Sequence, residues 1–196
     1  MKPYIQTSEF TTAACGLLMI VNHFKRSFSL SKENEHRIWM ASACLPVRAS
    51  SIYGLAVFAK KQGLRPRIVV GEREYEFPDY RFHRYTKKHI DEAKFTSKLY
   101  ARDAKELGIP IEERVFDFAE VKSLLEEGRI LLLRVNAGIL RDAKSTSNYV
   151  VVCKDERGMV VMDPRQGRVI VDEALLLEAF ETLQTKKKRD PRMIVF

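Results

Sequence analysis

The stretch from Thr11 to Lys25 constrains the fold more than any other part of the chain. It predicts a helix with apolar residues on every side, and either Thr11 or Thr12 could cap its start. A helix of this kind must be covered all round, so it belongs in the centre of a domain. Its apolar run stops at Asn22, far short of the roughly 20 residues that a membrane-spanning helix needs. We therefore predict a core helix and no membrane segment.

The rest of the chain alternates between helical and extended patterns. Helices are predicted from Ser31 to about Cys44, from Ser50 or Ser51 to Gly63, from Thr86 to about Leu107, from Asp117 to Gly128, and after Asp172. Strands are predicted over 65–70, 111–116, 130–135, 149–153, 159–162, 168–171 and 193–196. Helices first and antiparallel strands after them are typical of an α+β fold, and no linker or repeat divides residues 1–196, so one domain is predicted.

Composition narrows the class of protein. Charged residues make up 31% and hydrophobic residues 45% of the 196 residues, which is ordinary for a globular protein. The first six residues lack the features of a signal peptide, so a cytoplasmic location is expected. Cys15, Cys44 and Cys153 lie in apolar stretches, are odd in number and show no metal-binding spacing. We predict buried thiols, no metal and no cofactor; the oligomeric state is left open.

The net charge of +8 would attract an anionic partner, such as nucleic acid or an acidic polypeptide. The positive residues gather in three clusters: Lys60, Lys61, Arg65 and Arg67; Arg81, Arg84, Lys87 and Lys88; and Lys186, Lys187, Lys188 and Arg189. No nucleic-acid motif accompanies them, so solvated turns and helix faces, as on Lys- and Glu-rich thermophilic proteins, are the favoured interpretation. A nucleic-acid-binding or ribosome-associated protein is the alternative.

Two distant motifs have the order and spacing of a known family. Near the start, Gln6 precedes Thr12-Ala-Ala-Cys15-Gly, and much later Asn148-Tyr-Val-Val-Val precedes Met-Asp163-Pro. This resembles the double-glycine (bacteriocin-processing) peptidase-like branch of the papain-like cysteine proteases. There, a Gln precedes a Thr-Cys-Gly-Pro helix start, and a His-Trp-Val-Val-Val strand precedes Asp-Pro. Further similar segments are Glu35 to Trp39, Tyr53-Gly-Leu-Ala, Gly63-Leu, Lys87-Lys88 with Phe95, and Gly108-Ile-Pro.

The resemblance implies a papain-like fold, in which a buried N-terminal helix packs on a C-terminal antiparallel sheet. It places the nucleophilic Cys of the family at Thr12, its His at Asn148, its orienting acid at Asp163 and its oxyanion-hole glutamine at Gln6. The Thr12 hydroxyl would need a strong base, and the Asn148 amide cannot take up a proton. Thr12 could instead cap the helix, Asn148 could simply hydrogen-bond, and Asp163 could cap the turn at Pro164.

Cys15 is an alternative nucleophile, because Cys15-Gly16 imitates the Cys-Gly pair of the family. Three residues further along a helix, however, it would lie about 4.5 Å deeper and be rotated by about 60°. Its thiol also lacks an evident base, since none of the four histidines begins a strand before Asp163; they are His23, His36, His83 and His89. An approach of His83 or His89 to Cys15 would change this interpretation.

The sequence favours a peptidase-family domain with a degenerate triad, catalytically inactive, that binds a peptide or protein ligand. Loss of the nucleophile or base of a triad lowers turnover about a million-fold, and here both are replaced. The alternatives are an active cysteine-type peptidase or amidase that uses Cys15 or Thr12, and the basic nucleic-acid- or ribosome-associated protein.

Overall fold

The computed structural model describes residues 1–73, 85–156 and 158–196. In chain order the elements are α1 (Thr12–Phe24), α2 (Lys32–Met40), β1 (Ala43–Cys44), β2 (Ala49–Ser50), α3 (Ile52–Lys61), β3 (Arg67–Val70), α4 (Lys87–Glu106), β4 (Ile111–Glu113), α5 (Phe118–Glu126), β5 (Leu131–Asn136), α6 (Ala137–Leu140), β6 (Ser147–Asp155), β7 (Gly158–Asp163), β8 (Gly167–Ile170), α7 (Glu173–Thr185) and β9 (Arg192–Val195). The fold is therefore mixed, with helices and strands along the whole length.

Seven strands form one mostly antiparallel sheet in the order β4-β3-β9-β5-β6-β7-β8, and β1 pairs with β2 in a small separate ribbon. The strand β9 lies between β3 and β5, so that Ile194 is opposite both Ile68 and Leu132. The predicted antiparallel sheet is confirmed for most of its strands, with one exception. The strands β3 and β4 join the same sheet and pair in parallel, because α4 connects them as a crossover.

Helices cover both faces of the sheet, and neighbouring strand residues point to opposite sides. On one face, α1 and α3 pack against side chains such as Leu132 and Val151. On the other, α5 and α7 pack against side chains such as Leu131 and Leu133. Eleven of the 13 residues of α1 are buried, which confirms the prediction of a central helix.

Several helices begin directly after the capping residues from which the sequence predicts their start. The side chains of Ser31, Thr86, Asp117 and Asp172 each accept a hydrogen bond from a backbone N–H in the first turn of the helix that follows. The predicted helix after Ser31 is too long, because it ends at Met40 and 43–44 form β1. None of the helices in the described ranges has both the length and the apolar character needed to cross a membrane.

Candidate functional site

A cleft of about 430 Å³ opens beside the first turn of α1. Thr12, the first residue of α1, lines it and is almost fully buried. Asn148 lines the same cleft from β6, where it is opposite Val135 of β5. The structure thus brings to one cleft the two residues that the resemblance assigns to nucleophile and base.

Asp163 ends β7 as a fully buried carboxylate with both oxygens occupied. Arg141 donates to it from Nε at 2.8 Å and from Nη2 at 2.9 Å. The backbone N–H of Arg165 donates to the same carboxylate at 2.7 Å, which closes the turn around Pro164. The Arg141 and Asp163 side chains are only 7% and 1% exposed, so this is a buried bidentate ion pair.

Arg141 also contacts Asn148. In the amide orientation that satisfies both of its polar groups, the Asn148 oxygen accepts from Arg141 Nη1 at 3.1 Å and the nitrogen donates to the Ser147 carbonyl at 3.0 Å. One guanidinium therefore joins Asn148 to Asp163. Arginine stays protonated in proteins, so this arrangement places a permanent cation beside the acid and leaves no proton acceptor between the two residues.

Sequence reasoning did not identify Arg141 as part of the site. It follows α6, a four-residue helix that was not predicted, and it precedes a loop that packs closely on that helix. A Cβ atom at Gly138 would lie 2.6 Å from the Lys144 carbonyl oxygen, so glycine permits this approach. The one available signal was indirect: a buried Asp163 without a histidine requires another cation.

Gln6 is tied to the turn after β7 rather than to the cleft. Its backbone N–H donates to the Pro164 carbonyl at 2.7 Å, which holds the N-terminal segment beside Asp163. Its side-chain nitrogen donates to the Ser8 carbonyl at 3.0 Å, and its Oε1 is buried without a hydrogen-bond partner among the described residues. Gln6 thus lies outside the cleft lining.

Cys15 is fully buried one turn below Thr12 and does not line the cleft. Its thiol donates to the Tyr4 carbonyl at 3.4 Å. Burial, and then the carboxylates of Glu35 and Asp163, raise the pKa of this thiol well above its usual range. The thiolate, which is the nucleophilic form, is therefore disfavoured at neutral pH.

The cysteine that does reach the cleft is Cys44 of β1, which was not predicted as a site residue. Burial raises its pKa to about 12, although hydrogen bonds with Ser97 and Ser51 act in the opposite direction. This thiol is likewise protonated at neutral pH.

The histidines that the structure describes, His23, His36 and His89, make their contacts with groups other than Thr12 and Cys15. His23 lies at the end of α1, where burial lowers its pKa. His36 Nε2 lies 3.3 Å from the Ser8 hydroxyl, and His89 belongs to the capping box at the start of α4. Within the described residues, no hydrogen bond joins these histidines to Thr12 or Cys15. His83, with the basic residues Arg81 and Arg84, lies outside the described residues.

A second buried carboxylate, Glu35 of α2, holds the segment that leads into α1. It accepts from the Thr7 backbone N–H at 2.9 Å, the Thr7 hydroxyl at 2.8 Å, the Tyr4 hydroxyl at 3.2 Å, and the Thr11 hydroxyl. Burial and then Glu35 raise the pKa of Tyr4 to about 12. The Thr11 side chain, which bonds to Glu35, makes no cap hydrogen bond to α1.

Arginines concentrate on another part of the cleft wall. Arg134, Arg189 and Arg192 all line the cleft and are 9%, 7% and 3% exposed. Asp190 accepts from Arg192 Nε at 2.7 Å and lies 3.6 Å from Arg134 Nη1. Arg134 Nε also donates to the Ser147 hydroxyl at 2.9 Å. The predicted basic cluster at 186–189 is therefore divided, since Arg189 faces the cleft while Lys186 and Lys188 are exposed.

Metal binding has no evident site in the ranges that the structure describes. There, no group of three or more His, Cys, Asp or Glu side chains is arranged to hold a metal ion.

The comparisons with known proteins give one match. No curated protein and no solved structure matches the chain. A sequence profile of the Peptidase_C39-like family matches residues 1–186. This range includes α1, the strands β6 and β7 and the Arg141 loop, so it covers both walls on which Thr12 and Asn148 lie. The chain therefore belongs to the Peptidase_C39-like family.

Proposed function

We propose that the chain is a peptidase-related domain that binds a peptide or protein segment in its cleft and does not cleave it. The observation that carries this proposal is the Arg141 guanidinium, which contacts both Asn148 and Asp163. In this proposal Thr12 and Asn148 stand at the Cys and His positions of a papain-like site. The packing of α1 on β6 supports that arrangement, because the helix that begins at Thr12 contacts the strand that carries Asn148.

The chemistry of these residues argues against turnover. A threonine hydroxyl attacks a carbonyl only when a base removes its proton. Asn148, at the position that the resemblance assigns to the base, carries an amide, and Arg141, which donates to it, carries a guanidinium; neither accepts a proton near neutral pH. Asp163 could be a base in principle, but both of its oxygens already accept hydrogen bonds in a buried ion pair.

The shape and lining of the cleft support binding. Its volume of about 430 Å³ falls within the range of roughly 300–1,000 Å³ that ligand sites occupy. Aromatic side chains, Phe10, Tyr85 and Tyr149, and hydroxyl groups line it together. Such a surface offers both apolar contact and hydrogen bonds to an extended peptide.

The alternative of an active peptidase has less support. Cys15 is buried, its pKa is raised, and no described histidine contacts it. Thr12 lies in the cleft, but no described histidine is hydrogen-bonded to it, and the carboxylate in the cleft lining, Glu9, belongs to an exposed residue.

The test is a binding and cleavage assay with a library of random decapeptides. The immobilised chain is incubated with the library, and retained and cleaved peptides are identified by mass spectrometry. Ala49→Trp places a large ring in the cleft lining, and Ala119→Trp places one on the exposed surface of α5. We expect the wild type and Ala119→Trp to retain the same peptides uncut, and Ala49→Trp to lose them.

Two results would contradict the proposal. Cleavage that disappears in Thr12→Ala or in Cys15→Ala would show an active peptidase with that residue as its nucleophile. If the folded wild-type chain retains no peptide, the proposed binding function is wrong.

A further inference from the structure

The ends of α1 and α3 meet, and the segments that follow them carry positive side chains. Lys25 comes directly after α1, and its Nζ donates to Oε1 of Gln62, directly after α3, at 3.2 Å. The rings of Phe28 and Phe58 also join the two segments, with their centres 6.0 Å apart. We call this surface the helix-end patch; its cations are Lys25, Arg26, Lys60, Lys61 and Arg65.

The cations of the helix-end patch have no ion-pair partner among the described residues. Four of them are exposed and Lys60 is half-buried. The sequence has no Asp or Glu in residues 10–32 or 36–71, the stretches that supply the patch. Arg67, by contrast, pairs with Glu112 at 2.7 Å. The helices α2 and α4, which pack against α1 and α3, carry carboxylates that form no ion pair with a patch cation in the described ranges: Glu33, Glu35, Asp91, Glu92, Asp103 and Glu106.

A structural role accounts for only part of this charge. Lys60 and Lys61 lie in the last turn of α3, where cations stabilise a helix through its dipole. That effect falls off within the last turn, and Arg26 and Arg65 lie beyond the ends of both helices. Their guanidinium groups are therefore available to a partner.

An aromatic ring is exposed next to these cations. Phe24, the last residue of α1, is 54% exposed, and no other large apolar side chain within 23–28 or 60–65 is exposed in the described structure. The His23 ring packs edge-on against it, with the centres 5.1 Å apart. Burial lowers the pKa of His23, and the amino terminus and Arg26 act in the same direction, so this ring is uncharged at pH 7.

We infer that the helix-end patch binds single-stranded nucleic acid. Lys and Arg side chains neutralise phosphates of any sequence, and an exposed ring can stack on an unpaired base. An anionic membrane fits less well, because insertion requires several apolar side chains and the patch exposes one. An acidic polypeptide would match the cations but would not use the exposed ring. None of the patch residues lines the cleft, so this inference goes beyond the proposed function and does not depend on it.

The experiment measures binding of fluorescein-labelled single-stranded dodecanucleotides, one of DNA and one of RNA, by fluorescence anisotropy. The salt concentration is varied, because each phosphate neutralised on a single strand contributes about −0.7 to the slope of log K against log salt. Five cations therefore give a slope of up to about −3.5 in magnitude. The comparison probes are a duplex of the same length, polyglutamate, and vesicles that contain phosphatidylserine.

Charge variants locate the site. Arg26→Gln combined with Lys61→Gln removes two charges from the patch, and Lys88→Gln combined with Arg102→Gln removes two exposed charges from α4, which leaves the same net charge. We expect the patch variant to bind at least about ten-fold more weakly at about 0.1 M salt and to reduce the magnitude of the slope by about 1.4. The α4 variant should change neither quantity substantially.

Aromatic variants test the stacking. Phe24→Ala should weaken binding of the single strands at least about five-fold, and Phe24→Tyr should retain it, because both rings can stack. Phe95→Ala on α4 is the matched control, since its side chain is 61% exposed and lies outside the patch.

Binding of either strand that weakens in both patch variants supports the inference, and the strand that binds more tightly identifies the natural class of ligand. No binding at low salt, equal weakening in the two charge variants, or an unchanged affinity of Phe24→Ala would overturn it. Tighter binding of the duplex, polyglutamate or vesicles would likewise overturn it. Retention of peptides by the cleft is measured separately, so failure of this inference leaves the proposed function standing.

Discussion

At the scale of single residues, the Arg141–Asp163 pair determines how the site behaves. Both side chains are removed from water, and each supplies the opposite charge that offsets the desolvation cost of the other. The same pair also keeps Asn148 in place through the remaining guanidinium nitrogen. The position of Asn148 in the cleft lining therefore depends on a structural ion pair.

Arg141→Gln should destabilise the protein by about 3–5 kcal/mol, because it leaves the Asp163 carboxylate buried without a cation. Urea unfolding at pH 7 measures the change. Arg37→Gln is the control, since it breaks an exposed pair with Glu33 whose side chains are 60% and 71% exposed, and it should cost less than about 0.5 kcal/mol. Equal effects of the two substitutions would contradict the structural role of Arg141.

The cysteines should react with iodoacetamide in the order of their burial, with the half-buried Cys153 ahead of Cys15 and Cys44. Because the pKa of Cys15 is raised, raising the pH from 7 to about 9 should not produce its thiolate, whereas an ordinary thiol with a pKa of about 8.5 ionises in that window. Mass spectrometry of the labelled peptides provides the rates. Fastest labelling at Cys15 in the folded protein would instead support it as a nucleophile.

At the scale of elements, α2 and the N-terminal segment depend on one carboxylate. Glu35→Gln should destabilise the protein by about 1–3 kcal/mol, because an amide has one acceptor oxygen and leaves donors of Thr7 or Thr11 without a partner. Hydrogen exchange of the Thr7 amide should become faster. Glu33→Gln on the exposed side of α2 is the control. Unchanged exchange at Thr7 would show that Glu35 does not hold this segment.

The glycine of α3 should be irreplaceable for a steric reason. A Cβ at Gly54 would lie 2.8 Å from the Ser42 Cα, and backbone atoms there cannot easily move. Alanine normally stabilises a helix by about 1 kcal/mol relative to glycine, but Gly54→Ala should lower the free energy of unfolding by about 1–3 kcal/mol. Thermal unfolding measures whether Gly54→Ala raises or lowers the stability of the protein. Adding Ser42→Gly should not restore stability, because glycine keeps the Cα atom at position 42. A more stable Gly54→Ala protein would contradict this packing.

The sequence predicts those elements whose ends depend on neighbouring residues. Caps such as Ser31 and Asp172 act within one turn, so their helices could be placed from the sequence. The capping box at Asp117 forms only in part, because Glu120 bonds to Arg114 and not back to the helix start. The short elements β1, β2 and α6 were missed because segments of two to four residues are too short to show a periodic pattern.

The site was only half predictable for a similar reason. Thr12, Asn148 and Asp163 could be singled out because a resemblance fixes their spacing along the chain. Arg141 and Arg192 could not, since an arginine in a charged sequence gives no sign that it will be buried. Their roles depend on which carboxylate lies opposite them in the folded chain, Asp163 or Asp190.

At the scale of the whole molecule, β9 lies between β3, from the first half of the chain, and β5, from the second half. Ile194→Asp places a charge in this fully buried central strand and should unfold the protein, at a cost above about 4 kcal/mol. Ile170→Asp is the matched control on the edge strand β8, where the side chain is 52% exposed. The dispersion of NMR signals should be lost throughout the chain in the first variant and kept in the second. Loss of signal dispersion only for residues around β9 would contradict the expected unfolding of the whole protein.

The net charge of +8 still allows an anionic macromolecular partner. The exposed Lys186 and Lys188 could contribute to such a surface. Salt-sensitive binding to RNA or DNA is the test of this alternative, and an absence of binding at low salt would exclude it.

The position of β9 also governs the order of events during synthesis. Ribosomes release residues 67–70 long before residues 192–195, yet β3 and β5 meet only through β9. Until then, the apolar edges of both strands lack their neighbour, and nascent chains with exposed edges are prone to aggregation. The sheet is therefore completed only after residues 192–195 have left the ribosome, and a chain that stopped short of β9 would leave the facing edges of β3 and β5 unpaired.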